Sequence, residues 1–324
     1  MKTQILNLNT SFDHTGIIRH ATNSDVVRVD EVVALSGGKG IDVARVFKKL
    51  GYNNYTVSNI LGGNVGDLIE KKMNEENIKA WNFKIKNDSR INYAYVNEIE
   101  ESILMINENG PLIEQREKEK YLEELNNWLV KGQILVIAGS ATTGFVAKDI
   151  HSIIKMAKEK NMYVVIDTSK EYLSASLEEN IDLLKINNKE FADQFKNYEY
   201  EFNNFKDYID VIESEKIKEV IITFGKEGIL SNFDGEIFFG KNKKVFSNYA
   251  IGSGDSFLAG YIYGEIYADN KEDTLKLAMA CGAANTLEYG AGVLNKKDID
   301  MMYDKNIIVE KMQRNDLDAS ISGS

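Results

Sequence analysis

Apolar and polar residues follow two alternating patterns along most of this chain. Short apolar runs without period-two alternation, which are typical of strands buried on both faces, occur at residues 4–8, 55–61, 133–138, 163–166, 181–186 and 219–223. Amphipathic stretches that predict helices lie between them, at residues 40–50, 66–75, 117–130 and 144–159. Strands that alternate with helices predict a parallel sheet covered on both faces, and therefore the α/β class.

Two regions interrupt this alternation. Residues 15–35 show no helical pattern, and residues 91–107 are typical of two strands around a polar turn. We interpret both as parts of one small β-rich appendage, formed by about residues 15–35 and 91–107; antiparallel edge strands on the main sheet are the alternative. Residues 255–267 and 271–287 predict two consecutive helices, and the small polar residues 316–324 predict a frayed tail.

Composition narrows the classes of function. The chain has 324 residues, 43% of them hydrophobic, so one domain over residues 1–324 can bury a large core. The net charge of -11 opposes binding to nucleic acid or to an acidic membrane. We expect no transmembrane helix and no signal peptide. The single cysteine, Cys281, cannot form an intramolecular disulfide, so we expect a cytoplasmic protein.

The first candidate site is the segment Ser36-Gly-Gly-Lys-Gly-Ile-Asp-Val-Ala-Arg45, which follows a predicted strand and begins a predicted helix. Paired glycines before a helix expose backbone N–H groups and allow a ligand to approach the main chain. Lys39 adds a positive charge there. The spacing is not that of a Walker A loop, so a plain glycine turn with a solvated lysine remains the alternative.

The second candidate site is Ile251-Gly-Ser-Gly-Asp-Ser-Phe-Leu-Ala-Gly260, at the start of an apolar helix. The N–H groups of Gly252, Gly254 and Asp255 could form an anion pocket at the helix N-terminus. A carboxylate beside such a pocket can accept a proton from a hydroxyl during phosphoryl transfer. An aspartate that only complements the helix dipole is the alternative.

A third candidate pairs Asn187 with Glu190 at the junction of a strand and a helix. Their three-residue spacing places both side chains on one helical face, which suits ordering the waters of a magnesium ion. An N-cap with its capping-box glutamate is the alternative interpretation, and for this pair alone it is the favoured one.

The glycine-rich segments together resemble the two signature regions of the ribokinase-like, or PfkB, carbohydrate kinases. They have the family's order and wide separation, and the resemblance extends over about residues 4–309. The chain is most similar to the phosphosugar branch, which contains 1-phosphofructokinase and tagatose-6-phosphate kinase. The resemblance implies a three-layer αβα sandwich with a small β-sheet lid, and by analogy a homodimer formed through that lid.

The same resemblance implies an enzyme that uses ATP and Mg²⁺ to phosphorylate a hydroxyl of a ketohexose phosphate. Conversion of fructose 1-phosphate to fructose 1,6-bisphosphate is the first expectation. Tagatose 6-phosphate, or an uncharged sugar or nucleoside, is an alternative substrate, and a non-catalytic sensor of sugar phosphates is an alternative function.

Residues at matching family positions receive roles by this resemblance. Asp255 accepts the hydroxyl proton, and the amides of Gly252, Ser253 and Gly254 stabilise the transferring group. The expected substrate-binding residues are Asp13, Gly38, Lys39, Asp42, Arg90 and Arg28. The expected nucleotide contacts are Lys185, Asn187, Thr223, Gly225, Gly228 and Asn285. Asn187 and Glu190 are expected to bind magnesium through water.

One residue departs from the family pattern within the first signature region. Asp42 stands where the family usually has asparagine. An ionised aspartate only accepts hydrogen bonds, whereas asparagine also donates them. The difference therefore bears on the identity of the substrate more than on the fold.

Overall fold

The computed structural model describes residues 1–20, 26–196, 202–215, 217–243 and 249–317, which form two β-sheets and ten α-helices. The larger sheet has ten strands in the order β14-β13-β12-β11-β10-β9-β8-β1-β4-β5. These strands are β1 (Thr3–Asn7), β4 (Tyr55–Gly62), β5 (Ala80–Ile85), β8 (Ile134–Ala138), β9 (Tyr163–Asp167), β10 (Leu183–Asn187), β11 (Glu219–Thr223), β12 (Ile229–Phe233), β13 (Glu236–Asn242) and β14 (Ile307–Met312).

Seven neighbouring strands of this sheet, from β5 to β11, run parallel, and the last three are antiparallel. The six strands predicted from apolar runs are all present. The antiparallel strands were not predicted, although the dipeptide Asp234-Gly235 marks their first hairpin. Both residues have positive φ, as a tight hairpin turn requires.

Helices cover both faces of the larger sheet. They are α1 (Lys39–Lys49), α2 (Gly63–Glu75), α3 (Gln115–Trp128), α4 (Ala147–Glu159), α5 (Lys170–Leu177), α6 (Asn188–Gln194), α7 (Phe205–Ser214), α8 (Ser253–Tyr267), α9 (Lys271–Asn285) and α10 (Lys296–Lys305). None of these helices is long and apolar enough to span a bilayer.

Successive residues of the central strands contribute to two separate apolar cores. Ile5 packs in the core beneath α1, α8 and α9, whereas Leu6 packs in the core beneath α3, α4 and α7. Side chains of a strand alternate between the faces of its sheet, so an unbroken apolar run is what two covered faces require. The three-layer α/β architecture expected from the sequence is therefore confirmed.

The smaller sheet consists of β2 (Ser11–Ile18), β3 (Glu31–Gly37), β6 (Arg90–Asn97) and β7 (Ser102–Asn107), in the order β3-β2-β6-β7. These strands come from the two segments interpreted as an appendage, although the first segment begins at Ser11 rather than at residue 15. They pair with one another and not with the described strands of the larger sheet. The predicted tail is described only to Leu317, and residues 318–324 lie outside the described residues.

Candidate active site

Two cavities lie at the carboxyl ends of the parallel strands, where open α/β sheets bind ligands. The smaller one, of about 240 Å³, lies between the two sheets and includes Asp13, Gly38, Lys39, Asp42, Arg90 and Asp255 in its lining. The larger one, of about 450 Å³, includes Thr223, Gly225, Gly228, Ser253 and Gly254. The N-terminus of α8 separates them, because its first turn contributes residues to both.

The turn before α8 depends on glycine. Gly252 has φ of 81°, and a Cβ at this position would lie 2.5 Å from the Cα of Ala291. Only glycine accepts both the left-handed conformation and this close approach. The N–H of Ser253 donates to the Ala250 carbonyl within this turn. The helix that follows has fifteen residues, and the positive end of its dipole points toward both cavities. The geometry suits binding of an anion at the boundary of the cavities.

Asp255 lies at this boundary with its carboxyl group buried. Its Oδ1 has no hydrogen-bond partner among the described residues. Burial raises the pKa of Asp255 to about 6, with the charge of Lys39 opposing the rise and that of Asp167 adding to it. A carboxylate with a pKa near neutrality can both ionise and take up a proton at physiological pH, as the predicted base must.

An ion-paired triad of Lys39, Asp167 and Lys185 acts electrostatically on Asp255, and Lys39 is its one member among the residues that line the smaller cavity. The buried Asp167, at the end of β9, accepts from Lys39 Nζ at 2.7 Å and from Lys185 Nζ at 2.8 Å. Burial favours the neutral acid, but the two lysines outweigh it and lower the pKa of Asp167 to about 2. A Cβ added to Gly254 would lie 2.9 Å from Lys185 Nζ, so this ammonium group faces the first turn of α8.

Asp167 was not predicted as a site residue. Its only sequence signal is its position immediately after the apolar run of β9, at the carboxyl end of the sheet. Lys39, in contrast, was predicted as a substrate-binding residue, and it does line the smaller cavity. Burial lowers the pKa of Lys39, but Asp167 and Asp255 more than compensate and raise it above its ordinary value.

Asp13 and Arg90 lie on the smaller sheet and face the same cavity. Asp13 Oδ1 accepts from Ser11 Oγ at 2.7 Å and from Asn92 Nδ2 at 3.0 Å. Its other oxygen lies over Gly37, where a Cβ would come within 2.2 Å, so glycine is required there. Asn92 is paired with Asp13 in the strand register and was not predicted.

Arg90 donates to the carbonyls of Asn9 at 3.0 Å and of Glu108 at 3.3 Å. Its Nε is buried and has no partner among the described residues. Burial lowers the pKa of Arg90, and the nearby carboxylates of Asp13 and Glu108 only partly offset this. A buried guanidinium with an unused donor is stabilised when an anion binds beside it.

Asp42 is held by a buried ion pair with Arg45, at 2.9 Å. Arg45 also donates to Glu76 and to the carbonyls of Ser36 and Ala291. Burial raises the pKa of Asp42 well above its ordinary value, and Arg45 opposes this rise. Arg45 therefore explains how the chain accommodates an aspartate in the wall of the smaller cavity.

Some predicted nucleotide contacts line the larger cavity and others do not. Thr223, Gly225 and Gly228 line it. Lys185, Asn187 and Asn285 are not among its lining residues. Asn285 is fully buried, and its Nδ2 donates to the carbonyls of Gly290 and Val293. Its side chain supports the loop after α9, so the structure gives no support for a direct contact with a nucleotide.

Asn187 and Glu190 form a capping box at the start of α6. The Glu190 N–H donates to Asn187 Oδ1 at 2.9 Å, and the Asn187 N–H donates to Glu190 Oε2 at 3.2 Å. The alternative interpretation of this pair is therefore present in the structure. Within the described ranges, no group of three or more histidine, cysteine, aspartate or glutamate side chains could hold a metal ion.

Arg28 lies in the segment between β2 and β3, is exposed, and is not among the residues that line the smaller cavity. Several residues that were not predicted do line it, among them His14, Tyr93 and Tyr249. His14 follows Asp13 on β2, and this position next to a predicted site residue is the only feature of the sequence that could have indicated a place for His14 in the cavity.

The structure is an α/β fold with two cavities at the carboxyl ends of its parallel strands, and comparison with known proteins gives the family. The model of the pfkB family carbohydrate kinases matches residues 7–298. The chain therefore belongs to this family, as the two glycine-rich segments predicted, and it is an ATP-dependent carbohydrate kinase.

Individual relatives cover nearly the whole chain. A tagatose-6-phosphate kinase of Staphylococcus epidermidis is 28% identical over 310 residues, which are 94% of this chain and 98% of the relative. The structure of phosphofructokinase-2 from Escherichia coli with substrates and products has a TM-score of 0.85 at 25% identity, over 94% of this chain and 98% of that one. A possible 1-phosphofructokinase of Thermotoga maritima, at 20% identity and a TM-score of 0.84 over 97% of this chain and all of that one, shares the fold.

Proposed function

We propose that this kinase transfers the γ-phosphoryl group of ATP to a hydroxyl of a ketohexose phosphate. Fructose 1-phosphate, giving fructose 1,6-bisphosphate, is the first candidate, and the similarity to a tagatose-6-phosphate kinase makes tagatose 6-phosphate the second. The observation that carries the proposal is the position of Asp255. Its buried carboxyl oxygen, which has no hydrogen-bond partner in the part of the chain that the structure describes, lies between a cavity with two cationic side chains and a cavity with glycine-rich walls.

The smaller cavity would hold the sugar phosphate. Asp13, fixed by Ser11 and Asn92, accepts hydrogen bonds from sugar hydroxyls. Arg90 binds the phosphate already present, because its buried Nε lacks a partner among the described residues. Lys39 supplies a second positive charge, and binding both groups together fixes the orientation of the acceptor hydroxyl.

The larger cavity would hold ATP, with Thr223, Gly225 and Gly228 in its wall. The acceptor oxygen attacks the γ-phosphorus, the bond to the bridging oxygen of ADP breaks, and the hydroxyl proton passes to Asp255. The amides at the start of α8 and the lysines of the triad stabilise negative charge on the phosphoryl group as it transfers. Positioning and electrostatics account for most of the expected rate, since no covalent intermediate is needed.

Magnesium, when bound, would neutralise charge on the phosphates of ATP. Glu190 interacts electrostatically with Lys39, and Glu190 and Asn187 would bind the ion through water while they keep their capping-box bonds. Mg²⁺ characteristically keeps several of its own waters.

The smaller sheet would act as a lid, and its outer edge would pair with a second copy of the chain. β7 is the edge strand of this sheet, and its apolar side chains from Ile103 to Ile106 are exposed. A long, exposed apolar edge strand favours association. Met105 also lines the smaller cavity, so a homodimer would help to exclude water from the site. A cytoplasmic location agrees with these substrates.

A coupled assay of ADP release tests the proposal. It compares fructose 1-phosphate, tagatose 6-phosphate, fructose 6-phosphate, ribose and adenosine as acceptors. We expect turnover with a ketohexose phosphate and little with ribose or adenosine. Turnover only with an unphosphorylated acceptor would instead favour a kinase of uncharged sugars or nucleosides, an alternative that the additional carboxyl group of Asp42 slightly favours. Binding of sugar phosphates without any turnover would indicate a sensor.

A further inference from the structure

A row of buried asparagines crosses the first three parallel strands beside the candidate active site. Asn7 on β1, Asn59 on β4 and Asn82 on β5 are direct neighbours in the strand register. Asn7 and Asn59 are buried, and Asn82 is partly buried. Uncharged amides at this depth cost free energy unless each finds partners.

Each of these amides donates to the next one. Asn7 Nδ2 donates to Asn59 Oδ1 at 2.9 Å, and Asn59 Nδ2 donates to Asn82 Oδ1 at 3.1 Å. Asn82 Nδ2 then donates to Oε1 of Glu70 on α2, at 2.9 Å. We call Asn7, Asn59, Asn82 and Glu70 the amide ladder.

Glu70 fixes the direction of the whole ladder. A carboxylate only accepts hydrogen bonds, whereas an amide can donate or accept according to its orientation. Asn82 must therefore turn its NH₂ group toward Glu70, and each earlier amide must follow the same direction. Lys84 donates to Oε2 of Glu70 at 2.6 Å, and this bond, followed by the bond from Asn82, lowers the pKa of Glu70. Glu70 therefore remains an ionised acceptor at neutral pH.

The other end of the ladder contacts the glycine segment that carries Lys39. Asn7 Oδ1 accepts from the Gly40 N–H, and Asn7 Nδ2 approaches the Gly37 carbonyl, each at 3.4 Å. A Cβ on Gly38 would lie 2.5 Å from Asn7 Oδ1, so the segment packs directly on this amide. If Asn7 turned over, its NH₂ group would meet the Gly40 N–H, and two donors would face each other.

From this geometry we infer that Glu70 is a remote positioning residue, which orients the amide ladder so that Asn7 holds the Gly38–Lys39–Gly40 segment for sugar-phosphate binding. The inference rests on the proposed function for its effect on the substrate, but the ordering of the segment is independent of it. Gly38 and Lys39 line the smaller cavity, and none of the ladder residues does.

The chain offers a matched pair of variants on α2. Glu70→Gln replaces the fixed acceptor with an amide that can also donate, so both directions of the ladder become accessible. Asp67→Asn is the control: Asp67 is highly exposed and binds the same Lys84 at 2.9 Å, but it does not contact the ladder. Both variants remove one surface carboxylate and one bond to Lys84.

Two measurements separate positioning from a general structural effect. In Glu70→Gln we expect the KM for the sugar phosphate to rise about fivefold to tenfold, as for a small misplacement of binding groups. The KM for ATP should change by less than about twofold, because the larger cavity does not adjoin the ladder. Hydrogen exchange followed by NMR without substrate should show faster exchange of the Gly40 amide in Glu70→Gln only.

The outcomes distinguish this inference from the proposed function. If Glu70→Gln and Asp67→Asn show the same Gly40 exchange and the same sugar-phosphate KM as each other, the positioning role is wrong. If the unmodified chain turns over no sugar phosphate, the proposed function fails, and the exchange measurement alone then decides whether Glu70 orders the segment. Equal increases of both KM values in Glu70→Gln would also contradict the inference.

Discussion

Replacing Asp167 with asparagine tests the electrostatic reasoning about the active site most directly. This substitution keeps the size of the side chain but removes the negative charge that pairs with Lys39 and Lys185. Lys185 is almost fully buried, so an uncompensated charge is left in the interior. The same change removes a like charge near Asp255 and leaves two nearby positive charges unbalanced.

The structure gives magnitudes for two effects. The pKa of Asp167 is about 2 in the folded chain, against an ordinary value of 3.8, which corresponds to about 2 kcal/mol of stability. Because the folded pKa is lowered, this stability is present above about pH 4 and is lost as the pH falls toward 2. With the unpaired lysines included, we expect Asp167→Asn to lower the free energy of unfolding at pH 7 by about 2 to 4 kcal/mol.

The second effect concerns the base. Burial and the charge of Asp167 hold the pKa of Asp255 at about 6, against the charge of Lys39. Without Asp167, the two remaining charges of the triad, on Lys39 and Lys185, both favour the ionised form of Asp255. The pKa of Asp255 should therefore fall by about one unit or more. The acid limb of kcat/KM for the sugar phosphate, which reports the free enzyme, should move to lower pH by the same amount, while kcat decreases.

A matched control separates these effects. Asp149→Asn breaks another largely buried ion pair, to Lys118 at 2.8 Å, and neither residue lines the described cavities. Chemical denaturation should show a loss of stability in both variants, but only Asp167→Asn should shift the pH profile. An acid limb that stays near pH 6, or moves upward, in Asp167→Asn would refute the proposed coupling of the triad to Asp255.

Three further predictions concern single residues. Asp255→Asn should abolish turnover and leave ATP binding, measured by calorimetry, largely intact; near-normal turnover would exclude it as the base. Arg90→Ala should raise the KM for the sugar phosphate by about tenfold or more, and the KM for ATP far less, since one charge-assisted bond contributes about 1.5–3 kcal/mol; equal effects would exclude the phosphate role. Gly252→Ala should lower the melting temperature and kcat together, because its Cβ would collide with Ala291; unchanged values would contradict the tight turn.

The parts of the candidate site that are formed by residues close together in the sequence were predictable. The turn before α8 and the segment before α1 each combine glycines with one charged residue over a few positions. Such motifs specify a strand, a turn and a helix N-terminus without reference to the rest of the chain. The position of Gly252 and Asp255 at a helix N-terminus could therefore be predicted from the sequence.

Residues that act through distant partners were not predictable. Lys39 and Asp167 are 128 positions apart, and Asn7 and Asn59 are 52 apart. No periodicity links such residues, because they meet only through the order of strands in the sheet. The capping box of Asn187 and Glu190 is predictable from the sequence, since both of its bonds lie within four residues.

Unbroken apolar runs and glycine motifs are local signals, so they were enough to predict the α/β class, the central parallel strands and the carbohydrate kinase family. The folded structure was needed to show that β2, β3, β6 and β7 form a sheet of their own, since strand pairing depends on long-range contacts. It also decided that the pKa of Asp255 lies near 6 and that Asn285 is fully buried. Burial and charge are properties of the assembled chain, and no stretch of sequence specifies them alone.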